Sequence, residues 1–198
     1  MMFSSAIRLV LASGSSYRQT LLDRLGVRYT VCPADIDETP RPGESPVAIA
    51  ERLALEKARA VASRFPDHLI IGSDQVATID GVSALGKPLS HARAVEQLKE
   101  LSGKHADFHT AVCLLNSSTN VGRSAVVSTT VEFRSLSAAA IEAYLQMDRP
   151  YDCTGSAKIE GSGIVLVRRV ESEDPSALIG LPLIALQDLL AAEGVHLV

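Results

Sequence analysis

Three apolar residues, Leu69-Ile70-Ile71, run straight into Gly72-Ser73-Asp74-Gln75. No other stretch constrains the fold as tightly. A short apolar run followed by glycine reads as a strand buried on both faces, which belongs to an α/β sheet covered by helices. The strand is expected to run from Leu69 to Asp74 and continue through Val76 to Ile79. Gly-Ser-Asp is also a frequent turn composition. Two readings of Asp74 therefore stand: a turn residue, or a lone carboxylate where a buried strand leaves the core. Open α/β sheets bind ligands at the carboxyl ends of their strands, so the second reading is a functional one.

The flanking sequence supplies the rest of such a fold. Ile7 to Ala12 reads as a buried strand and ends in Ser13-Gly14-Ser15-Ser16. Leu21, Leu22 and Leu25 then have helical spacing, with Gly26 as a stop. A Ser/Gly loop opening a helix presents free N–H groups and hydroxyls to an anion, with Ser15 or Ser16 as the cap. Arg18, in the first helical turn, is unfavourable for the helix dipole and suits a negative ligand. Arg28 to Cys32 reads as a short strand. The loop from Pro33 to Glu44 carries Asp35, Asp37 and Glu38, which repel one another unless solvated or paired with a cation. Ser45-Pro46 starts a helix running to about Arg64. Lys57 lies in its apolar stripe, and its ammonium either snorkels to water or points into a cleft.

After the Leu69 strand, Gly86-Lys87-Pro88 forms a second element with an exposed lysine, and Ser90 caps a helix to about Leu101. Ala106–Leu115 and Val121–Arg134 read as a hairpin of two long strands. A helix to about Met147 follows, then a loop from Tyr151 to Gly163 rich in small residues. Ile164 to Val170 reads as a strand and Leu181 to Ala192 as a closing helix. This order implies an α/β fold with a mixed, partly antiparallel sheet and flanking helices. The 198 residues suit one domain, spanning 1–198, with two lobes around a cleft.

Composition narrows the function. A net charge of −4 argues against stable nucleic acid binding or an anionic membrane surface, and 4% aromatics against a base-stacking platform. No run reaches membrane-span length. Met1 to Ser5 lacks a basic segment leading into a long apolar stretch, so no signal peptide is expected. Cys32, Cys113 and Cys153 are scattered and form no CxxC, as expected of a cytoplasmic chain. Common catalytic motifs are missing: Lys87 is followed by Pro88, which blocks a P-loop helix, and no HExxH or GxSxG occurs. His105 and His109 are metal-spaced but sit on an expected strand and read as structural or surface residues.

What remains is Ser13, Arg18, Glu38, Lys57, Asp74, Lys87, Lys158 and Glu160 at the ends of elements. Arginine and lysines suit a polyphosphate. Carboxylates suit a hard divalent cation or a base that activates water. Metal-assisted hydrolysis of a phosphoanhydride needs this mixture.

The chain also resembles the Maf family of nucleoside triphosphate pyrophosphatases over nearly its whole length. The resemblance rests on Leu11-Ala12-Ser13-x-Ser15-x-x-Arg18, Asp37-Glu38-Thr39, Glu56-Lys57-Ala58, Gly72-Ser73-Asp74-Gln75 and Gly86-Lys87-Pro88. Further along it includes Gly155-Ser156-x-Lys158-x-Glu160-Gly161 and Gly180-Leu181-Pro182. It implies a two-lobed fold similar to the inosine-triphosphatase type and hydrolysis of a nucleoside triphosphate to monophosphate and pyrophosphate with Mg²⁺ or Mn²⁺. Asp74 is implied as proton acceptor, with Ser13, Arg18, Glu38, Lys57 and Lys87 on phosphate and metal. The residues leave open whether Asp74 is base or metal ligand. Gln75 after the aspartate, Tyr17 and Glu160 resemble the members that cleave 7-methyl-GTP; those acting on dTTP and UTP carry Thr at the Gln75 position. An aromatic face attracts a cationic methylated purine, and a carboxylate accepts from guanine N1–H and N2. Three residues depart from the pattern: Tyr17 stands where relatives usually carry Trp, and Ser16 and Gln19 where they commonly carry Pro and a basic residue. A housekeeping role on the nucleotide pool follows, with a homodimer compatible. The alternatives are a pyrophosphatase for dTTP, UTP or other nucleotides, and a nucleotide-binding regulator of cell division.

Overall fold

A computed structural model describes residues 8–197. Ile7 and the Met1–Ser5 segment lie outside the described residues. Among the described residues six strands form one sheet in the order β2-β1-β3-β4-β5-β6. They are β1 (Leu9–Leu11), β2 (Tyr29–Val31), β3 (Leu69–Thr78), β4 (His105–Asn116), β5 (Val121–Phe133) and β6 (Val167–Ser172). β1 is parallel to both β2 and β3, and β3 to β6 are antiparallel neighbours. The helices are α1 (Ser16–Asp23), α2 (Pro46–Ala62), α3 (His91–Leu101), α4 (Ala138–Asp148) and α5 (Leu183–Ala192). Ser15, Ser45, Ser90 and Ser137 cap the first four, each hydroxyl accepting the N–H three residues on. No helix of the described residues is long and apolar enough to cross a membrane.

Gly72-Ser73-Asp74 is not a turn. β3 runs unbroken through it, and Asp74 sits mid-strand, 7% exposed. Gly72 is there for packing. A Cβ on it would lie 2.0 Å from the Ala54 carbonyl oxygen and 2.9 Å from the Ala58 nitrogen. With Ala50, Ala54 and Ala58 fully buried, α2 rests almost directly on the strand. Side chains alternate across a strand. Ile70 and Val76 pack under α2, so Asp74 points to that same face. Ile71 belongs to the opposite core beside α1 and α5, the face that Ser73 and Gln75 share. A third core, built from Phe108, Phe133, Leu98 and Leu145, fills the lobe of α3 and α4.

The expected strand from Ile164 to Val170 begins late. Residues Ser162–Leu166 form a 3₁₀ turn because the N–H groups of Gly161 and Gly163 both donate to the Lys158 carbonyl, at 3.0 Å each. Ile164 and Val165 are left 50% and 65% exposed. Apolar character there does not mark a buried strand.

Candidate active site

β1 stops at Leu11 while β3 continues. The last bond between them is Ala12 N–H to the Ile71 carbonyl, 2.8 Å. Farther on, Leu85 N–H donates to the Ala77 carbonyl at 2.7 Å. Between these two points the edge of β3 is open, and a cleft of about 770 Å³ lies against it. Leu69, Ile71 and Ala77 all use this edge. By the strand's two-residue period the N–H and C=O of Ser73 and Gln75 face it too, and neither residue's main chain has a bond to a described residue across it.

On the α2 face, Lys57 is buried and points inward. Its Nζ lies 2.5 Å from Asp74 Oδ1 and 2.8 Å from Glu38 Oε1. The cleft reading of Lys57 is the one observed, and the acidic loop contributes one member, Glu38, to it. Burial pushes the Glu38 carboxyl up, but the Lys57 hydrogen bond and the charges of Lys57, Lys87 and Arg18 outweigh it and hold the group below its ordinary value. Asp35 and Asp37 take no part in this contact; Asp37 accepts Thr39 N–H at 2.9 Å.

Arg18 closes the floor. Its Nε donates to the Gly180 carbonyl at 2.8 Å and a terminal nitrogen to Ser13 Oγ at 3.2 Å. Burial lowers the pKa of Arg18, and the charges of Asp74 and Glu38 oppose that; a guanidinium stays protonated regardless. Ser73 Oγ donates to the same Gly180 carbonyl at 3.0 Å. Lys87 lines the cleft with no ion-pair partner among the described residues. Ser13, Arg18, Glu38, Lys57, Asp74 and Lys87 thus converge on one site.

The specificity candidates Tyr17, Gln75 and Glu160 line the same cleft. The Gln75 amide nitrogen donates to Thr110 Oγ1 (3.0 Å) and to the Ala177 (3.1 Å) and Leu178 (3.0 Å) carbonyls. Thr110 itself donates to the Ala177 carbonyl at 2.9 Å, so all three Gln75 partners are acceptors. That fixes the amide orientation and leaves the Gln75 carbonyl oxygen free as an acceptor. Lys158 departs from the phosphate grouping: its Nζ sits over the Tyr17 ring, 5.3 Å from the centroid. Tyr17 Oη donates to Asp152 at 3.4 Å and accepts from Cys153 Sγ at 3.5 Å. Burial, Cys153, Asp152 and Glu160 all raise the Tyr17 phenol, which stays neutral. Glu160 is raised mainly by burial, with Asp148 and Asp152 adding and Lys158 opposing.

Sequence reasoning did not single out Gly180 as the carbonyl that aligns Arg18, nor Thr110 and Asp152. The Gly180-Leu181-Pro182 motif was the one signal available; Thr110 gives none, because its hydroxyl meets Gln75 and the Ala177 carbonyl only once strand and turn are packed together. His105 and His109 stay outside the site: His109 bonds Ser128 Oγ at 2.8 Å, and His105 is exposed. The three cysteines are free thiols. Among the described residues no group of three or more His, Cys, Asp and Glu is placed to hold a metal.

Comparison with known proteins finds relatives along nearly the whole chain. A 7-methyl-GTP pyrophosphatase of Cupriavidus pinatubonensis is 54% identical over 94% of both chains. Proteins of the same name from Nitrosospira multiformis and Methylobacillus flagellatus are each 52% identical, over 98% and 96% of this chain and 97% and 98% of theirs. A HAM1 protein from Coxiella burnetii superposes with a TM-score of 0.48 at 22% identity, covering 64% of this chain and 73% of that one. The Maf-like protein model matches residues 8–193, and the chain belongs to the Maf family.

Proposed function

We propose that this chain is a metal-dependent nucleoside triphosphate pyrophosphatase that cleaves 7-methyl-GTP to 7-methyl-GMP and pyrophosphate. The observation that carries the base assignment is the Lys158 ammonium resting on the Tyr17 ring with Asp152 and Glu160 beside it. A cation already occupies that aromatic face, with two carboxylates near it. Methylation at N7 makes guanine a flat cation, suited to the same surface. Gln75 Oε1 and Glu160 supply acceptors for guanine N1–H and N2. The relatives' names point the same way.

At the other end, Arg18, Lys57 and Lys87 neutralise the triphosphate. Asp74 takes a proton from a water that attacks the α-phosphorus. The new P–O bond forms as the bond to the α,β-bridging oxygen breaks, and pyrophosphate leaves. Lys57 holds Asp74 in place for this step. Glu38 and Asp74 also suit Mg²⁺ or Mn²⁺, since such ions take one or two carboxylates and complete their shell with phosphate oxygens and water. That ion would neutralise charge on the bridging and leaving oxygens. Two carboxylates 2.5 and 2.8 Å from one ammonium fit that donor set. We read the whole chain as one such domain, working on the cytoplasmic nucleotide pool.

The test is pyrophosphate release with Mg²⁺ or Mn²⁺ over 7-methyl-GTP, GTP, dTTP and UTP. The expected result is the highest kcat/KM on 7-methyl-GTP. Equal or better turnover of dTTP overturns the base assignment, and no release from any triphosphate overturns the activity.

A further inference from the structure

The segment from Cys32 to Ser45, which carries Glu38, contains no helix or strand. Among the described residues the backbone–backbone bond inside it is Glu44 N–H to the Arg41 carbonyl, 3.1 Å. The Glu38 side chain is 55% exposed. A half-exposed carboxylate on an irregular loop does not keep a 2.8 Å contact with Lys57 unless the loop is held elsewhere. It is held by Arg52. Nε of Arg52 donates to Glu44 Oε1 at 2.5 Å, and a terminal nitrogen donates to Glu44 Oε2 at 2.7 Å and to the Thr39 carbonyl at 3.3 Å. The other terminal nitrogen meets Glu56 Oε2 at 3.1 Å. A second clasp runs the opposite way, from Arg41 on the loop to Glu56 Oε1 at 2.8 Å.

We propose that Arg52 is a positioning residue for Glu38, tying the middle and the C-terminal end of the Glu38 loop to the helix that carries Lys57. Thr39 is the residue after Glu38, and Glu56 is the residue before Lys57. One guanidinium thus sets the loop's register against α2, and with it the contact between Glu38 and Lys57, the ammonium that also holds Asp74. The Arg52 side chain is 12% exposed, so the fork is largely shielded from water. Its hydrogen bond is the first reason that the Glu44 carboxyl lies at about 2, the Arg41 N–H the second. A lysine cannot replace this fork, because an ammonium lacks the planar geometry that engages both carboxylate oxygens and a carbonyl together.

The inference rests on the proposed hydrolysis, and a double-mutant cycle separates the two. Turnover of 7-methyl-GTP is measured for the wild type, R52M, E38Q and E38Q/R52M, with Mg²⁺ titrated in each. R52M is expected to lower kcat/KM at least tenfold and to raise the Mg²⁺ concentration for half-activity. In the E38Q background the same change is expected to cost less than twofold, because its effect passes through Glu38. R52K is expected to behave like R52M. A variant with a lowered melting temperature is replaced by E44Q, which opens the clasp from the loop side and leaves α2 intact. Equal losses from R52M in both backgrounds, an unchanged Mg²⁺ requirement, or full rescue by Lys overturn the inference while leaving the hydrolysis standing. An inactive wild type overturns the hydrolysis itself, and an E38Q as active as the wild type removes the role of Glu38 and the inference with it.

Discussion

Replacing Lys158 with Met tests the base end of the cleft directly. In the structure the Lys158 ammonium lies 5.3 Å from the Tyr17 centroid, so a purine that stacks on Tyr17 must first displace it. A cation–π contact at a partly exposed site is worth about 0.5–1 kcal/mol. Divided by RT of roughly 0.6 kcal/mol, that is about a two- to fivefold factor in affinity. Met keeps a flexible apolar stem of similar length but offers no charge to hold the ring. KM should therefore fall about two- to fivefold for 7-methyl-GTP and for GTP alike, from loss of the competing cation. A second effect separates the two substrates. The variant removes a positive charge beside the bound base and leaves Glu160 without Lys158 as its counter-charge. Cationic 7-methylguanine gains from that and neutral guanine does not, so the kcat/KM ratio of 7-methyl-GTP to GTP should rise. Steady-state pyrophosphate release on both substrates, at fixed salt, reads both quantities. If KM rises equally for both nucleotides, the lysine belongs to the triphosphate, as its place in the sequence suggests, and the stacking argument fails.

Asp74→Asn should cut turnover by about 10²–10⁴-fold, the usual span for a lost general base, with circular dichroism unchanged; near-native turnover in a folded variant removes Asp74 from the chemistry. Gly72→Ala forces α2 off the strand, since its Cβ would lie 2.0 Å from the Ala54 carbonyl oxygen. An overpacking cost of about 2–3 kcal/mol corresponds to a melting temperature about 5–10 °C lower for a chain of this size, and a melt superposing on the wild type contradicts the packing role. Glu160 should give a pH dependence. Burial raises its folded pKa above 4.5, so the fold favours the protonated carboxyl; that stabilisation is complete below 4.5 and is lost as pH rises through the folded value. Base recognition needs the ionised form. KM for 7-methyl-GTP should therefore climb on acidification while the pH is still above 4.5, and E160Q should flatten that limb of the profile.

What could be read from the sequence divides along physical lines. β3 was legible because a strand covered on both faces must be apolar in succession, as Ile70 and Ile71 are. The serine caps were legible because capping is local. Gly72 was ambiguous because a glycine that turns the chain and a glycine that admits a neighbour are the same residue. The information that separates them lies in Ala54 and Ala58 on α2, at helical spacing opposite the strand. Lys57 carried more signal than its type suggests. It shares the buried stripe of Ala50, Ala54, Ala58 and Val61, a position from which snorkelling is blocked by the strand beneath. Ile164 and Val165 misled because the two N–H groups that curl that segment belong to Gly161 and Gly163. Asp74 shows the limit most clearly. Its chemistry was readable from its neighbours, but its access was not, because access depends on β1 ending at Leu11 while β3 runs on to Thr78. A carboxylate in the middle of a paired strand would be sealed in the core. Here the loss of one neighbour opens that strand to the cleft, so the length of β1 decides that Asp74 can meet a substrate at all.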